Sequence, residues 1–276
     1  MAGSLRPVPD APALLLEPDR GRRRWLIVSD LHLGLESRPE RPSGPPEGSA
    51  ERMAEEILAL ARHQSAAGIL VAGDVKHPIV GTPTHLRRIV FGFFAEILGA
   101  GLDAEVVLGN HDVGLVPHLP REVTVHPADG RVLDGIGIFH GHRWPSERVL
   151  GCSRLVAGHL HPGYRFAPTT EFPDGKRRCW VRVERTPPAP VPGKKRPVPR
   201  VRAREIVILP AFNPLAGVES LNRDRPARGR SFLFRRFLAD GIARAYLLDG
   251  TDLGVVPTVL RGSRATRPAP AARPGR

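Results

Sequence analysis

Short apolar runs recur along the first part of the chain, and each breaks off at a residue able to bind a cation or carry a proton. Trp25 to Val28 leads to Asp30 and His32, and Ile69 to Ala72 leads to Gly73 and Asp74. Glu105 to Leu108 ends on Gly109, Asn110, His111 and Asp112; Ile136 and Ile138 alternate towards His140 and His142; RLVAGHLHP, residues 154–162, delivers His159 and His161. The runs are too brief for helices and rich in branched side chains, so they predict buried strands. Between the first two, Met53, Ile57, Leu58 and Leu60 fall at helical spacing from about Ser49 to Gln64, with Gly68 as the stop. Between the next two, Thr82 supplies an N-cap and Pro83 a first-turn proline. Leu86, Ile89, Val90, Phe93, Phe94, Ile97 and Leu98 follow, and Gly99 and Gly101 end that helix.

Strands alternating with helices predict an α/β layered domain, and ligands bind such folds at the carboxyl ends of the strands. Two more strands are expected at Cys179 to Glu184 and Glu205 to Phe212. The intervening stretch, about residues 186–203, is too rich in proline and charge to pack a core and is expected to be a disordered hairpin insert. The segment RSFLFRRFLADGIARAYLLDG fits either a strand pair or a short helix and a strand. A mobile start before Trp25 and a disordered basic tail over 262–276 complete the reading, with one domain spanning 1–261.

With 276 residues and 41% hydrophobic content the chain can bury a sizeable core. No apolar stretch approaches the roughly 20 residues needed to cross a bilayer. The opening segment has only Leu14, Leu15 and Leu16 as an apolar centre, so a secretory signal is not expected and a cytoplasmic location is. Cys152 and Cys179 are too few and too far apart for a zinc clip or a disulfide framework, and both are read as inert thiols. The net charge of +13 raises the question of nucleic acid, since clustered Lys and Arg release counterions from phosphate chains. Much of the excess sits in the insert, the tail and the N-terminal segment, which favours a compositional bias over a dedicated binding face.

Seven of the eleven histidines, His32, His77, His111, His140, His142, His159 and His161, fall in the terminal segments of the five runs. Any one of them alone is an ordinary core histidine; together they predict a metal site. Carboxylates, an amide and imidazoles without a thiolate suit Mn, Fe or Zn, and a central Asp can bridge two ions. Asp74 is the natural bridge, because its strand is expected between the others. A pair of such ions acidifies a shared water and clamps phosphate oxygens, the arrangement that hydrolyses phosphate esters in line.

The blocks DLH, GDVKH, GNHD, HGH and GHLH, in that order over residues 30–161, resemble the five signature blocks of the calcineurin-like metallophosphoesterases. GDVKH with the later ILPAFNPLAG further resembles the bacterial and archaeal phosphoesterases related to the SbcD and Mre11 nucleases. The resemblance implies a four-layer α/β/β/α sandwich. It implies that Asp30, His32, Asp74 and His161 hold one divalent ion and Asp74, Asn110, His140 and His159 the other, with Mn the first expectation and Fe or Zn the alternatives. It also implies a catalytic role for His111, at the transition state or the leaving oxygen, with Asp112 orienting it. His142 stands either among the ligands or behind them. His77 serves either the start of a helix or the substrate. His63, His85, His118 and His126 are read as surface or core residues.

The leading expectation is therefore a dinuclear-metal phosphoesterase in which a metal-bridging hydroxide attacks phosphorus. Its partner is a phosphate ester, with a polynucleotide and a small phosphodiester or nucleotide equally open. About 100 residues follow His161, and with insert and tail removed they leave little room for a separate DNA-gripping cap. The alternative is a partner-binding scaffold on the same fold, which is expected to lack some ligands, whereas every block here is intact. Oligomeric state is not legible.

Overall fold

The computed structural model describes residues 3–19, 21, 23–35, 49–170, 173–185, 201–222 and 241–256. The first sheet carries, in spatial order, β1 (Ser4–Pro7), β2 (Leu14–Glu17), β3 (Trp25–Val28), β4 (Gly68–Val71), β5 (Asp103–Val107) and β6 (Thr124–His126). Its β3 to β6 neighbours pair in parallel, and β1, β2 and β3 pair antiparallel. The helices α1 (Ala50–Gln64) and α2 (Thr84–Gly99) make the β3–β4 and β4–β5 crossovers. Both lie on one face, where Met53, Ile57, Val90, Phe94 and Ile97 pack with Leu26, Val28, Ile69, Val71 and Val106.

The second sheet is built from β7 (Arg131–Leu133), β8 (Ile136–Phe139), β9 (Arg154–Ala157), β10 (Pro162–Arg165), β11 (Lys176–Glu184), β12 (Glu205–Ile208), β13 (Glu219–Ser220), β14 (Ile242–Leu247) and β15 (Asp252–Val255). Its main path runs β13-β10-β11-β12-β9-β8-β7, with β14 also on β11 and β15 on β14. Here β8, β9 and β12 are parallel, so their carboxyl ends point the same way.

The four residues of β3 are buried on both faces because the strand lies inside a stack. Leu26 and Val28 face the helices, while Trp25 and Ile27 join Leu70, Ala72 and Val107 against Ile136, Ile138, Val156, Trp180 and Val207 of the second sheet. This is the inter-sheet layer. Beyond the second sheet, Leu155, Ala157, Val181, Val183, Ile206 and Ile208 are covered by Val149 and Leu150 of α3 (Glu147–Leu150), with Ala203 and Leu221. The order is the α/β/β/α sandwich that the resemblance implies. Among the described residues its fourth layer holds one helix of four residues.

Several expectations need correction. The N-terminal segment is an edge hairpin: Leu14, Leu15 and Leu16 are fully buried in β2, whose register with β1 and β3 is regular. Residues 201–203, counted in the insert, pack: Ala203 is fully buried and the Arg202 amide donates to the Leu150 carbonyl. The rest of the insert, 186–200, the segment 223–240 and the tail from 257 lie outside the described residues. Helix α1 stops at a left-handed Ser65 rather than at Gly68, and Pro83, not Thr82, takes the N-cap position of α2. No helix among the described residues is long and apolar enough to cross a membrane.

Candidate metal centre

The carboxyl ends of β3, β4, β5, β8 and β9 meet at one edge of the sandwich, and the loops beyond them are stitched before any side chain is considered. Past β3 and β4 the pairing continues: the amides of Asp30, His32 and Leu33 donate to the carbonyls of Gly73, Asp74 and Val75, and His77 N–H returns to Leu33. Five candidate residues take left-handed backbone there, Asp30, His32, Asp74, His159 and His161, with φ of 58°, 43°, 54°, 69° and 45°. Non-glycine residues rarely adopt it, and such strain clusters where side chains must be aimed. Two glycines allow the close approach. A Cβ on Gly109 would strike Asp74 Oδ1, and one on Gly73, at φ 92°, would strike the His140 ring.

All seven expected ligands converge. Donor atoms of Asp30, His32 and His161 lie within 4.8 Å of one another, and so do those of Asp74, His140 and His159. His161 Nε2 is 3.1 Å from Asp30 Oδ1 and 3.3 Å from His32 Nε2. His140 Nε2 is 3.2 Å from both Asp74 Oδ2 and Asn110 Oδ1. His32 Nε2 lies 3.9 Å from Asp74 Oδ2, which places Asp74 between the two groups. Backbone carbonyls hold the far nitrogens of two rings: His140 Nδ1 donates to Ala72 O at 2.9 Å, and His161 Nδ1 to Gly217 O at 3.0 Å. That leaves each Nε2 for the centre.

Burial works to raise the Asp30 carboxyl, but His161, His140 and His32 hold it well below the usual carboxylate range. Asp74 is lowered likewise, its burial outweighed by the hydrogen bond and charge of His140. Burial pushes His32, His142 and His159 down to about 4, so they are neutral donors at neutral pH. Burial also opposes the imidazolium of His140, yet Asp74 and Asp30 lift it to about 9, and Asp30 raises His161. Two buried carboxylates thus face neutral imidazole lone pairs, and the proton on His140 supplies positive charge beside them. This donor set fits divalent cations, whose ligands must be deprotonated carboxylate and neutral imidazole.

His111 sits at the rim of the group, its amide donating to Asp74 Oδ1 at 2.9 Å and its Nε2 3.9 Å from Asp74 Oδ2. The expected link from Asp112 to His111 is absent. Buried Asp112 instead accepts from the amides of Asp74, Val75, Lys76 and Gly109, at 2.9, 2.9, 3.3 and 2.8 Å. The His111 ring is held by the His77 carbonyl, which accepts from Nδ1. His77 does not start a helix, since α2 begins at Thr84. Its ring lies 5.8 Å from that of His111 and 5.4 Å from that of His32, and the three offer a further group of donors within 4.8 Å. The His142 ring centroid is 5.4 Å from that of His140, and among the described residues its buried Nδ1 has no hydrogen-bond partner. His126 pairs with Glu105 at 2.6 Å, away from the centre.

Sequence reasoning missed three supports. Fully buried Asn213 donates from Nδ2 to the Leu31 carbonyl at 2.8 Å and anchors the segment that carries Gly217. Arg178 Nη1 donates to the carbonyls of Ala211 and Phe212 at 3.0 and 2.7 Å, fixing that segment from β11. Lys76, also fully buried, donates from Nζ to the carbonyls of Pro78 and Ile79. The ILPAFNPLAG stretch is the available signal for Asn213, and GDVKH contains Lys76.

No protein-family model and no curated protein matches the chain. Among solved structures, the nuclease MPE of Pseudomonas putida matches with a TM-score of 0.51 at 17% identity, over 89% of this chain and 98% of that one. Yfce, a phosphoesterase from E. coli, matches with a TM-score of 0.37 at 14% identity, over 84% and 97%. At that identity the first likeness is one of fold: the chain shares the fold of that nuclease.

Proposed function

We propose that the protein is a hydrolase of phosphate esters that works with two divalent metal ions. The observation that carries the reading is the convergence of Asp30, His32, Asp74, Asn110, His140, His159 and His161 from five strand ends, with Asp74 between two donor groups. Asp30, His32, Asp74 and His161 would hold one ion, and Asp74, Asn110, His140 and His159 the other. Bound there, the pair supplies a Lewis-acid clamp for phosphate oxygens and acidifies water.

The residues of the chain do the rest. Asp74 fixes the spacing of the two donor groups, and its second oxygen is held by the His111 amide. The Ala72 and Gly217 carbonyls orient His140 and His161 so that their Nε2 atoms face inward. With Nδ1 on the His77 carbonyl, His111 presents Nε2 at the rim, where a protonated imidazole would donate to the leaving oxygen as charge builds on it. Manganese is the metal to assay first, with iron and zinc beside it, and a phosphodiester or nucleotide is the substrate class. The scaffold alternative is disfavoured because no expected donor is missing.

The test combines metal analysis with turnover. Protein loaded with Mn should retain two ions per chain and hydrolyse an aryl phosphodiester, and Asp74→Ala should lose both properties. Full metal content and full hydrolysis in Asp74→Ala would overturn the bridge.

A further inference from the structure

Two loops leave the centre on the His111 side, and both are apolar where solvent-exposed loops are ordinarily charged. The segment 78–83 reads PIVGTP and the segment 113–117 reads VGLVP, without one charged residue in a chain that is 25% charged. Ile79 is 50% exposed, Val80 85%, Val113 62% and Val116 50%. Isolated exposed apolar residues need no explanation, but a concentration of them beside a functional site marks a binding surface. The two loops are joined through the centre itself. His77 and His111 stack at 5.8 Å, and the His77 carbonyl accepts from His111 Nδ1. Val80 follows His77 by three residues and Val113 follows His111 by two, so each lies within about 11 Å of that pair by chain reach alone. The neighbouring cation, Lys76, is turned inward and donates to the carbonyls of Pro78 and Ile79, which holds the first loop in place.

We propose that these loops form an apolar lip for the leaving group, so that the site selects phosphate esters whose departing alcohol carries a flat apolar ring, aryl or nucleobase. The inference rests on the phosphoesterase reading and names its substrate class. The loops follow directly on His77 and His111, the latter the residue placed to serve the leaving oxygen, so a group esterified there lies within reach of Val80 and Val113. A grip on a polynucleotide backbone would require Lys or Arg at this edge to neutralise phosphates. The loops offer none, and a ring stacked on branched aliphatic side chains gains by removing apolar area from water.

The test is equilibrium binding to Mn-loaded protein by calorimetry, with phenylphosphonate, a nucleoside phosphonate and methylphosphonate as probes sharing one headgroup. The expected result is that the ring-bearing phosphonates bind about tenfold tighter than methylphosphonate. The variant Val80→Ser/Val113→Ser should lose that preference while its methylphosphonate affinity stays unchanged. Whichever of the two ring probes binds tighter tells aryl from nucleobase. Equal affinities in the wild type, or a preference that survives in the variant, overturn the lip. So does a variant that keeps the preference but drops to a lower mass in sedimentation velocity, because the loops are then a contact between copies. Failure of all three phosphonates to bind metal-loaded wild type defeats the phosphoesterase reading itself, and the lip falls with it.

Discussion

The ring of His140 bridges the two sheets at the centre: Nδ1 donates to Ala72 O at 2.9 Å while Nε2 lies 3.2 Å from Asp74 Oδ2. One imidazole from β8 is thereby locked onto the end of β4, with no exposed surface of its own. In the metal-free protein its Nε2 needs a proton to face a carboxylate; with a cation present it needs none. Metal uptake is therefore expected to release protons and to stabilise the fold by mass action, about 2.7 kcal/mol at a hundredfold excess over Kd. Calorimetry in buffers of different ionisation enthalpy measures the proton release, and scanning calorimetry with and without chelator measures the stabilisation. Binding without proton release would remove His140 from the ligand set.

The metal-free protein should be most stable near pH 6.5. His140, raised from 6.5 to about 9, contributes stability that is complete below 6.5 and lost as pH climbs through 9, and His161 acts in the same sense. His32, His142 and His159, lowered from 6.5 to about 4, contribute stability that is complete above 6.5 and lost as pH falls towards 4. Asp112, raised by burial and by Asp74 to about 6, opposes them on the acid side as a single group against three. Thermal melts of chelated protein from pH 4 to 9.5 check the dome. A midpoint that rises steadily through the alkaline range would show that the His140 to Asp74 contact does not carry it.

His111→Asn should lower kcat by about a hundredfold to ten-thousandfold, the span of general acid catalysis. Metal content should stay unchanged, because His111 stands at the rim with Nε2 3.9 Å from Asp74 Oδ2. Elemental analysis alongside kinetics separates the two readings. Loss of an ion in this variant would make His111 a ligand, together with His32 and His77.

The candidate donors were legible in the sequence because they follow short, mostly continuous apolar runs that form buried strands, and that pattern is local. Asp30, Asp74 and Asn110 each announce themselves within a few residues of a buried strand. Asp112 did not: its partners are backbone amides up to 38 residues away, and a sequence does not display which carboxylate will satisfy which loop. Asn213 is the same case at greater range, reaching Leu31 across 182 residues. The N-terminal hairpin was hidden for another reason. Three consecutive leucines read as too short a run, yet β2, paired on both sides by β1 and β3, buries both faces at Leu14, Leu15 and Leu16. Of the two roles left open for His77, the helix start fails because its loop continues to Thr84.

Gly109→Ala tests how tightly the β5 end must press on Asp74. The added Cβ would fall on Asp74 Oδ1 and against the Asp74 amide, both held by their own hydrogen bonds. Neither atom can yield without moving the bridge. The expected outcome is weaker metal binding, by tenfold or more, read by chelator competition. Wild-type affinity in this variant would show that the loop is slack.

Asp112→Ala removes one carboxylate that serves four amides from two loops, those of Asp74, Val75, Lys76 and Gly109. Buried amides left unpaired cost about 1–3 kcal/mol each where water does not replace the partner, so a loss of more than about 3 kcal/mol is expected. Urea denaturation of the metal-free protein measures it. Asp112→Asn keeps one acceptor oxygen and should lose less. Both variants should bind metal more weakly, since the Asp74 and Gly109 backbones are tied to each other less firmly. At saturating metal the kcat of Asp112→Asn should return towards wild type, because the His111 ring takes its orientation from the His77 carbonyl and not from this carboxylate. A kcat that stays as low as that of His111→Asn under those conditions would restore Asp112 as the group orienting the histidine.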